Sequence, residues 1–162
     1  MKYFSFIFTM VFSISLVAQN DSVNEGRTSL GGISLGTSEY IIRKNFEDLE
    51  LRSNNASQKI YNLSRDNVDW MFEFIEARDG SYILNSVSYT DKNMSESDWE
   101  KKVDAYSEHF GRYPKINTPT ESFPMKVAAW EYPLSQDIAT RFTISLWPPT
   151  KRMTTSLMVK TW

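Results

Sequence analysis

The residue types that could perform acid–base or metal chemistry are few in this chain of 162 residues. His109 is the only histidine and cysteine is absent, so no HxH, HxxE or CxxC ligand spacing occurs. His109 stands near the end of a predicted helix, where a protonated imidazole interacts favourably with the helix dipole. We therefore predict a helix-end role for His109, and the sequence predicts no catalytic residue, metal or cofactor.

Carboxylates and glycines offer two further arrangements. Glu73, Glu76 and Asp79 could supply an acid–base pair, but on a half-exposed strand such side chains usually form the solvated row. Residues 31–36, GGISLG, lack the Lys-Ser/Thr ending of a phosphate-binding loop, so we interpret them as a lead-in to a helix. No GxSxG motif occurs, and no serine is favoured as the nucleophile of a Ser-His-Asp triad. These observations favour a non-enzymatic protein.

Aromatic side chains are the remaining candidates for a functional surface, with five tryptophans and eight tyrosines in the chain. Tryptophan and tyrosine are common at protein contact surfaces because they bury a large area with few rotatable bonds. Packing in the core is the alternative for each single residue. The set predicted to bind a partner through an open sheet face consists of Trp70, Phe72, Trp130, Tyr132, Trp147 and Trp162.

The elements that would position these residues begin with a hairpin at residues 67–90. Val68, Trp70 and Phe72 alternate with more polar side chains, which is typical of a strand with one buried face. Asp79-Gly80 predicts a tight turn, because both central residues of such a turn need positive φ. Further strands are predicted at residues 59–63, 125–132, 138–147 and 153–162.

Two helices are predicted, at residues 38–46 and from Ser95 to residue 110. The second has the clearer signals, since Trp99, Val103 and Phe110 recur on one helical face and Gly111 follows it. Residues 112–124 contain three prolines and are predicted to be an irregular connection. The predicted order is therefore helix, three strands, helix, three strands.

The N-terminal residues predict export. Lys2 precedes the apolar run of residues 3–17, and small residues around Ala18 lead into a polar segment. Residues 1–19 are predicted to be a signal peptide cleaved near Ala18 or Gln19, and residues 20–34 a flexible leader. The run is shorter than the about 20 apolar residues that span a bilayer, so no membrane span is predicted in the mature chain. The absence of cysteine favours a bacterial periplasmic or secreted protein.

Charge narrows the class of partner. The chain has 20 acidic and 18 basic residues, a net charge of −2. Proteins that bind nucleic acids usually carry a basic patch or stripe, so no nucleic-acid partner is predicted. The predicted partner is an envelope or secreted protein, and the oligomeric state is left open.

One short pattern resembles a known family. LGTSEY at residues 35–40 is followed by a short predicted helix, by Asp69-Trp70 and by a hairpin at Gly80. This order is similar to that of the BamE-like domains of bacterial envelope proteins. Two such units in tandem resemble the β-lactamase inhibitor proteins, and the resemblance covers residues 35–162. It implies a fold of repeated helix-plus-sheet units, and no binding residue is carried over from it.

Together these observations predict an α+β fold in one domain, residues 35–162. Two helix-plus-three-strand repeats, residues 35–91 and 95–162, are expected to form an antiparallel sheet with both helices on one face. The predicted function is that of an exported, non-enzymatic binding or inhibitor-like module, whose aromatic-rich sheet face contacts a protein partner.

Two alternatives remain open. The first is a small-molecule carrier or enzyme with a curved, NTF2-like sheet around an apolar pocket, into which Glu73 or Arg141 would point. The second is a structural envelope protein that is anchored through its partners.

Overall fold

A computed structural model of the chain describes residues 25–161. The predicted signal peptide, the first five residues of the predicted leader and Trp162 lie outside the described residues. The described elements are β1 (Ser29–Leu30), β2 (Ile33–Ser34), α1 (Glu39–Asn45), β3 (Glu50–Asn54), β4 (Gln58–Arg65), β5 (Val68–Glu76), β6 (Tyr82–Asp91), α2 (Glu96–Phe110), β7 (Lys115–Ile116), β8 (Lys126–Pro133), β9 (Ile138–Trp147) and β10 (Arg152–Thr161), with a 3₁₀ turn at Pro148–Thr150.

Strands β3 to β10 form one antiparallel sheet of eight strands, in the order β3-β4-β5-β6-β10-β9-β8-β7. The predicted α+β fold of two helix-plus-three-strand repeats is wrong, because residues 25–161 are mostly β-strand with two helices, and each helix is followed by four strands of one sheet. The two strands of this sheet that the sequence did not predict are the outer ones, β3 and β7. All five residues of β3 are exposed, so no apolar alternation marks it, and β7 is only two residues long inside the proline-containing connection.

The predicted tight turn at Asp79-Gly80 also differs from the structure. A five-residue loop joins β5 to β6, and within it Gly80 has positive φ (81°) while Asp79 does not. The Asp79 carboxylate accepts hydrogen bonds from the backbone N–H and the hydroxyl of Ser81, which stabilises this longer loop. The two-residue turn lies one strand earlier, at Asp66 (φ 52°) and Asn67 (φ 64°).

Helix α2 confirms the second predicted helix. The Ser95 hydroxyl accepts from the Asp98 N–H, and the Asp98 carboxylate accepts from the Ser95 N–H, which forms a capping box. Gly111 ends the helix in the left-handed conformation (φ 65°). Its buried residues include Trp99 and Phe110, as the apolar stripe predicts.

The covered face of the sheet is the face on which both helices lie. The indole N–H of Trp99 in α2 donates to the Ile144 carbonyl at 3.1 Å, and the ring of Tyr106 packs against Phe142 with centroids 4.5 Å apart. Phe46, at the end of α1, packs against Phe72 with centroids 5.6 Å apart. The largest fully buried side chains include Trp130, Phe72, Phe74, Phe142, Leu30, Leu84, Ile144, Leu146, Met153 and Leu157.

A hairpin of β1 and β2 packs on the same covered face. Leu30 is fully buried, and the Gly31 N–H donates to the Glu25 carboxylate at 3.0 Å. Gly26 has φ 72°, and a side chain there would collide with the ring of Phe110. Residues 25–34 of the predicted flexible leader are therefore packed structure. The sequence shows no periodicity here because each strand has only two residues.

Candidate functional site on the free face

The free face is the side of the sheet that carries no described helix or hairpin. Along β8, the side chains of Ala128 and Trp130 point to the covered face, so Val127, Ala129 and Glu131 point to the free one. The same alternation runs through the other long strands, and on β6 it is interrupted by a bulge at Asn85. The free face therefore consists of every second residue of β4, β5, β8, β9 and β10, and of β6 on each side of its bulge.

Small hydroxyl residues form the centre of the free face. Thr90 and Thr154 are joined by a hydrogen bond of 2.8 Å between their hydroxyls, and Thr143 and Ser156 by one of 2.6 Å. Short side chains leave the middle of this face low relative to its margins. The serines and threonines of β6, β9 and β10 on this face are Ser86, Ser88, Thr90, Thr143, Ser145, Thr154 and Ser156.

The half of the free face formed by β4 to β6 is tied together by side-chain contacts. The Asp69 carboxylate contacts Lys92 at 3.1 Å and Arg152 at 2.8 Å. Hydrogen bonds from Lys92 and Ser64 lower the pKa of Asp69 below its usual value. The carboxylate of Glu73 accepts from the amide of Gln58 at 2.5 Å. The charged groups of this half are thus largely paired with neighbouring side chains of the protein itself.

The three carboxylates considered for acid–base chemistry do not form a pair. Glu73 points to the free face, and Glu76, three residues later on the same strand, points to the opposite side. Asp79 lies in the loop after β5, where hydrogen bonds from the side chain and backbone of Ser81 lower its pKa.

The other half of the free face contains a groove of about 700 Å³. Val127, Ala129 and Ala139 form its floor, and Phe123 forms part of one wall. A turn with reciprocal backbone hydrogen bonds between Thr120 and Phe123, of 3.0 and 3.1 Å, holds the phenylalanine in place. Phe123 is 48% exposed, which makes it available to a binding partner.

The loop that carries Phe123 is fastened to the edge of the sheet by Asn117. Its backbone N–H donates to the Val127 carbonyl at 3.1 Å, and its side-chain oxygen accepts from the Val127 N–H. Its side-chain amide also donates to the Met125 carbonyl at 2.8 Å. These bonds continue the pairing of β7 with the outer edge of β8, and they fix the wall of the groove relative to its floor.

The charges that line the groove are predominantly positive. Its lining contains the cations Arg112, Lys115 and Arg141 and the carboxylate of Glu131. Glu131 contacts Lys160 at 3.0 Å and Arg141 at 3.7 Å. The hydrogen bond from Lys160 is the main cause that lowers the pKa of Glu131, opposed by slight desolvation. The Arg141 Nε finds no hydrogen-bond acceptor among residues 25–161.

Of the six aromatic residues predicted to contact a partner, Trp162 lies outside the described residues, and the structure does not bring the other five together. Phe72 and Trp130 are buried on the covered face, where they are 0% and 2% exposed. Trp70 and Tyr132 lie half-buried on that same face. Trp147 lies on the free face, with its ring centroid 6.4 Å from that of Phe123.

The structure also shows where Glu73 and Arg141, the residues expected to point into an NTF2-like pocket, and His109 lie. Glu73 and Arg141 lie on the open face, and neither points into an enclosed interior. His109 is exposed in the last turn of α2, with its Nε2 3.2 Å from the Glu25 carbonyl oxygen. Within residues 25–161, no group of three or more His, Cys, Asp or Glu side chains could hold a metal ion.

Reasoning from the sequence missed most of the groove. Phe123 and Asn117 belong to a connection that was predicted to be irregular, and Ala129 carries no obvious functional signal. The available signal was the order Val127, Ala129, Glu131 along β8, because small apolar residues on an outward row mark a low region of a sheet.

Comparison of the chain with known protein families, with curated proteins and with solved structures finds no match. The resemblance to BamE-like domains and to β-lactamase inhibitor proteins therefore stays a prediction. None of the helices in residues 25–161 has the length and apolar composition needed to cross a membrane.

Proposed function

We propose that this protein is an exported, non-enzymatic binding module that contacts a protein partner through the free face of its sheet. The observation that carries the proposal is the groove of about 700 Å³ on this face, next to the half-exposed Phe123. Both helices and the β1–β2 hairpin lie on the other face, so no described element covers this one. Export rests on the signal peptide predicted at residues 1–19.

Of the five described aromatic residues in the predicted set, Trp147 is the one on the free face. Trp147 and Phe123 form a contacting pair on the free face. Paired aromatic side chains beside an apolar floor resemble the central anchors of protein interfaces, which are rich in tryptophan and tyrosine. The buried Phe72 and Trp130 would support the sheet from its other side without contacting the partner.

Site-specific photo-crosslinking tests this proposal. p-Benzoylphenylalanine would be introduced at Ser145 on the free face and, as a matched control, at Glu100 on the exposed side of α2. The full chain would be produced in its source cells and irradiated there. We expect a discrete protein adduct from Ser145 and none from Glu100. Adducts from Glu100 alone, or from neither position, would contradict a partner on the free face.

Export is tested in the same cells. Fractionation followed by mass spectrometry should find the protein outside the cytoplasm, with an N-terminus near Asn20. A cytoplasmic protein that retains Met1 would contradict the export part of the proposal.

A further inference from the structure

We propose that the groove binds an extended segment of the partner in which acidic side chains flank an apolar anchor residue. This inference rests on the proposed function, because it names the part of the free face that makes the contact and the chemistry of the partner. Three features support it: the shape of the floor, the sign of the lining charges and the state of the sheet edge.

The floor of the groove suits an apolar anchor. Ala129 and Ala139 are 9% and 1% exposed, and their methyl groups leave the floor low beside the larger Phe123. An apolar side chain that enters such a depression gains about 25 cal/mol for each Å² it removes from water. Alanine is the residue that provides an apolar surface with the least loss of depth.

The length of the groove suits an extended chain. Its floor follows β8 from Val127 to Pro133. Six steps along a strand cover about 20 Å, because a strand rises by about 3.3 Å per residue. An extended segment of about six residues would therefore lie along the groove and place alternate side chains on its floor and its rim.

The lining charges favour an acidic partner. The whole chain has a net charge of −2, whereas three cations and one carboxylate line the groove. Lys160 already pairs with that carboxylate, Glu131, at 3.0 Å. The same carboxylate lies 3.7 Å from the Arg141 Nε, so one negative charge is shared between two cations, and Lys115 forms no ion pair with a carboxylate of residues 25–161. Carboxylates of a partner would balance the positive charge that remains at this groove.

Arg112 contributes a fixed positive charge at the rim. Its guanidinium donates to the Glu131 carbonyl and lies 4.2 Å from the centre of the Tyr132 ring. Both contacts hold the side chain in place, and neither neutralises its charge. A partner carboxylate would meet this cation with little further loss of side-chain freedom.

The edge of β8 favours recognition by side chains over the addition of a strand. Strand β7 already pairs with β8 at Ala128 and Ala129, Asn117 bonds the N–H and the carbonyl of Val127, and Arg112 bonds the carbonyl of Glu131. A partner strand would have to displace these bonds before it could pair with the edge. The face of β8, and not its edge, is therefore the accessible surface.

Peptide binding tests the inference directly. The probe is a fluorescein-labelled heptapeptide, Asp-Val-Asp-Phe-Asp-Val-Asp, compared with versions in which every Asp is replaced by Asn or by Lys. Fluorescence anisotropy should show that the Asp peptide binds, that the Asn peptide binds at least about tenfold more weakly than the Asp peptide, and that the Lys peptide does not bind. Added salt should weaken the Asp complex, because exposed charges are screened. Equal binding of the Asp and Lys peptides would overturn the inference.

Variants locate the binding site. Arg141→Glu and Ala129→Leu should each weaken the Asp peptide by about tenfold or more, by charge reversal and by filling the floor respectively. Lys101→Glu, on the exposed side of α2, makes the same charge reversal away from the groove and should leave binding unchanged. Lys115→Gln is the milder variant, to be used if Arg141→Glu fails to fold, and circular dichroism checks each protein. Unchanged binding by the folded groove variants would overturn the inference.

The two proposals fail in different ways. If Ser145 forms its adduct and Ala129→Leu leaves that adduct intact, the partner uses another part of the free face, so the groove inference fails while the proposed function stands. If Ser145 forms no adduct in source cells, the proposed function fails. Loss of the adduct in Ala129→Leu, together with specific binding of the Asp peptide, supports both.

Discussion

The two faces of the sheet are built from the same strands, yet their side chains differ in burial and in the contacts that they make. On β9, Phe142 and Ile144 are fully buried on the covered face, whereas Arg141, Thr143 and Ser145 alternate with them and lie on the free face. The covered row contacts the helices, and the free row contacts its neighbours through hydroxyls and charges. The comparison indicates that stability resides mainly in one row and recognition in the other.

This division predicts that substitutions one residue apart have unequal effects. Removal of a large side chain from the covered row leaves a cavity, because packed interiors relax only partly. Removal of a small one from the free row leaves a space that water fills.

Phe142→Ala should have the largest effect. The ring is fully buried and lies 4.5 Å from the ring centroid of Tyr106, 5.4 Å from Phe110 and 5.6 Å from Trp130. We expect the free energy of unfolding to fall by about 3–5 kcal/mol. Urea denaturation followed by circular dichroism measures the change.

Ser145→Ala is the matched control on the free row of the same strand. Its hydroxyl donates one hydrogen bond of 3.3 Å to the Thr154 carbonyl, so its loss should cost about 1 kcal/mol or less. Comparable losses in the two variants would show that the free face carries as much of the stability as the covered one.

Gly26→Ala tests the hairpin that completes the covered face. Gly26 has φ 72°, and a methyl group there would collide with the Phe110 ring, so the variant should lose stability from backbone strain and from the collision. Gly36→Ala isolates the backbone part, because Gly36 has φ 81° and no atom within 4 Å of the added carbon. Thermal unfolding should show a clearly larger loss for Gly26→Ala. Equal losses would mean that Phe110 moves aside at little cost.

How far the sequence predicts this division depends on the local signals. α2 was predictable because its cap, its apolar stripe and its terminal glycine agree. β3 and β7 were not, because an edge strand exposed on both sides and a two-residue strand leave no periodic pattern. The face on which each row lies was also not predictable from β5, since Met71 and Ile75 on the free row are apolar as well. Only the positions of the helices decide which row becomes the core.

Tyr61, on the covered face, makes the stability of the protein depend on pH at high pH. Burial, followed by its hydrogen bond to Glu39 and the charge of that carboxylate, raises the pKa of Tyr61 to about 12. An unfolded tyrosine has its usual pKa of 10.0, so this contribution to stability is complete below pH 10 and is lost as pH rises towards 12. Tyr61→Phe should remove that loss. Urea midpoints at several pH values between 9 and 12 measure it.

Glu39 has the opposite effect at low pH, where it makes the free energy of unfolding increase with pH. Burial alone would raise the pKa of its carboxyl, but hydrogen bonds from Lys59 and Tyr61 together with the charges of Lys59 and Arg43 hold it below the usual 4.5. Its contribution to stability is therefore present above pH 4.5 and lost as pH falls through the lower pKa of the folded state. Glu39→Gln should flatten this acid loss. An unchanged acid profile in the variant would show that other carboxylates control it.

A small change in stability is expected for Trp147, which together with Trp130 distinguishes the two faces most directly. Trp130 is 2% exposed and donates its indole N–H to the Arg112 carbonyl at 3.1 Å, whereas Trp147 lies half-buried beside Phe123 on the free face. Trp147→Phe should change stability by about 1 kcal/mol or less, because an aromatic ring is retained at a partly solvated site. It should also remove a larger share of the acrylamide-accessible fluorescence than Trp130→Phe does. If Trp130→Phe removes the larger share instead, the covered face opens to solvent, and the two rows do not divide stability from recognition as proposed.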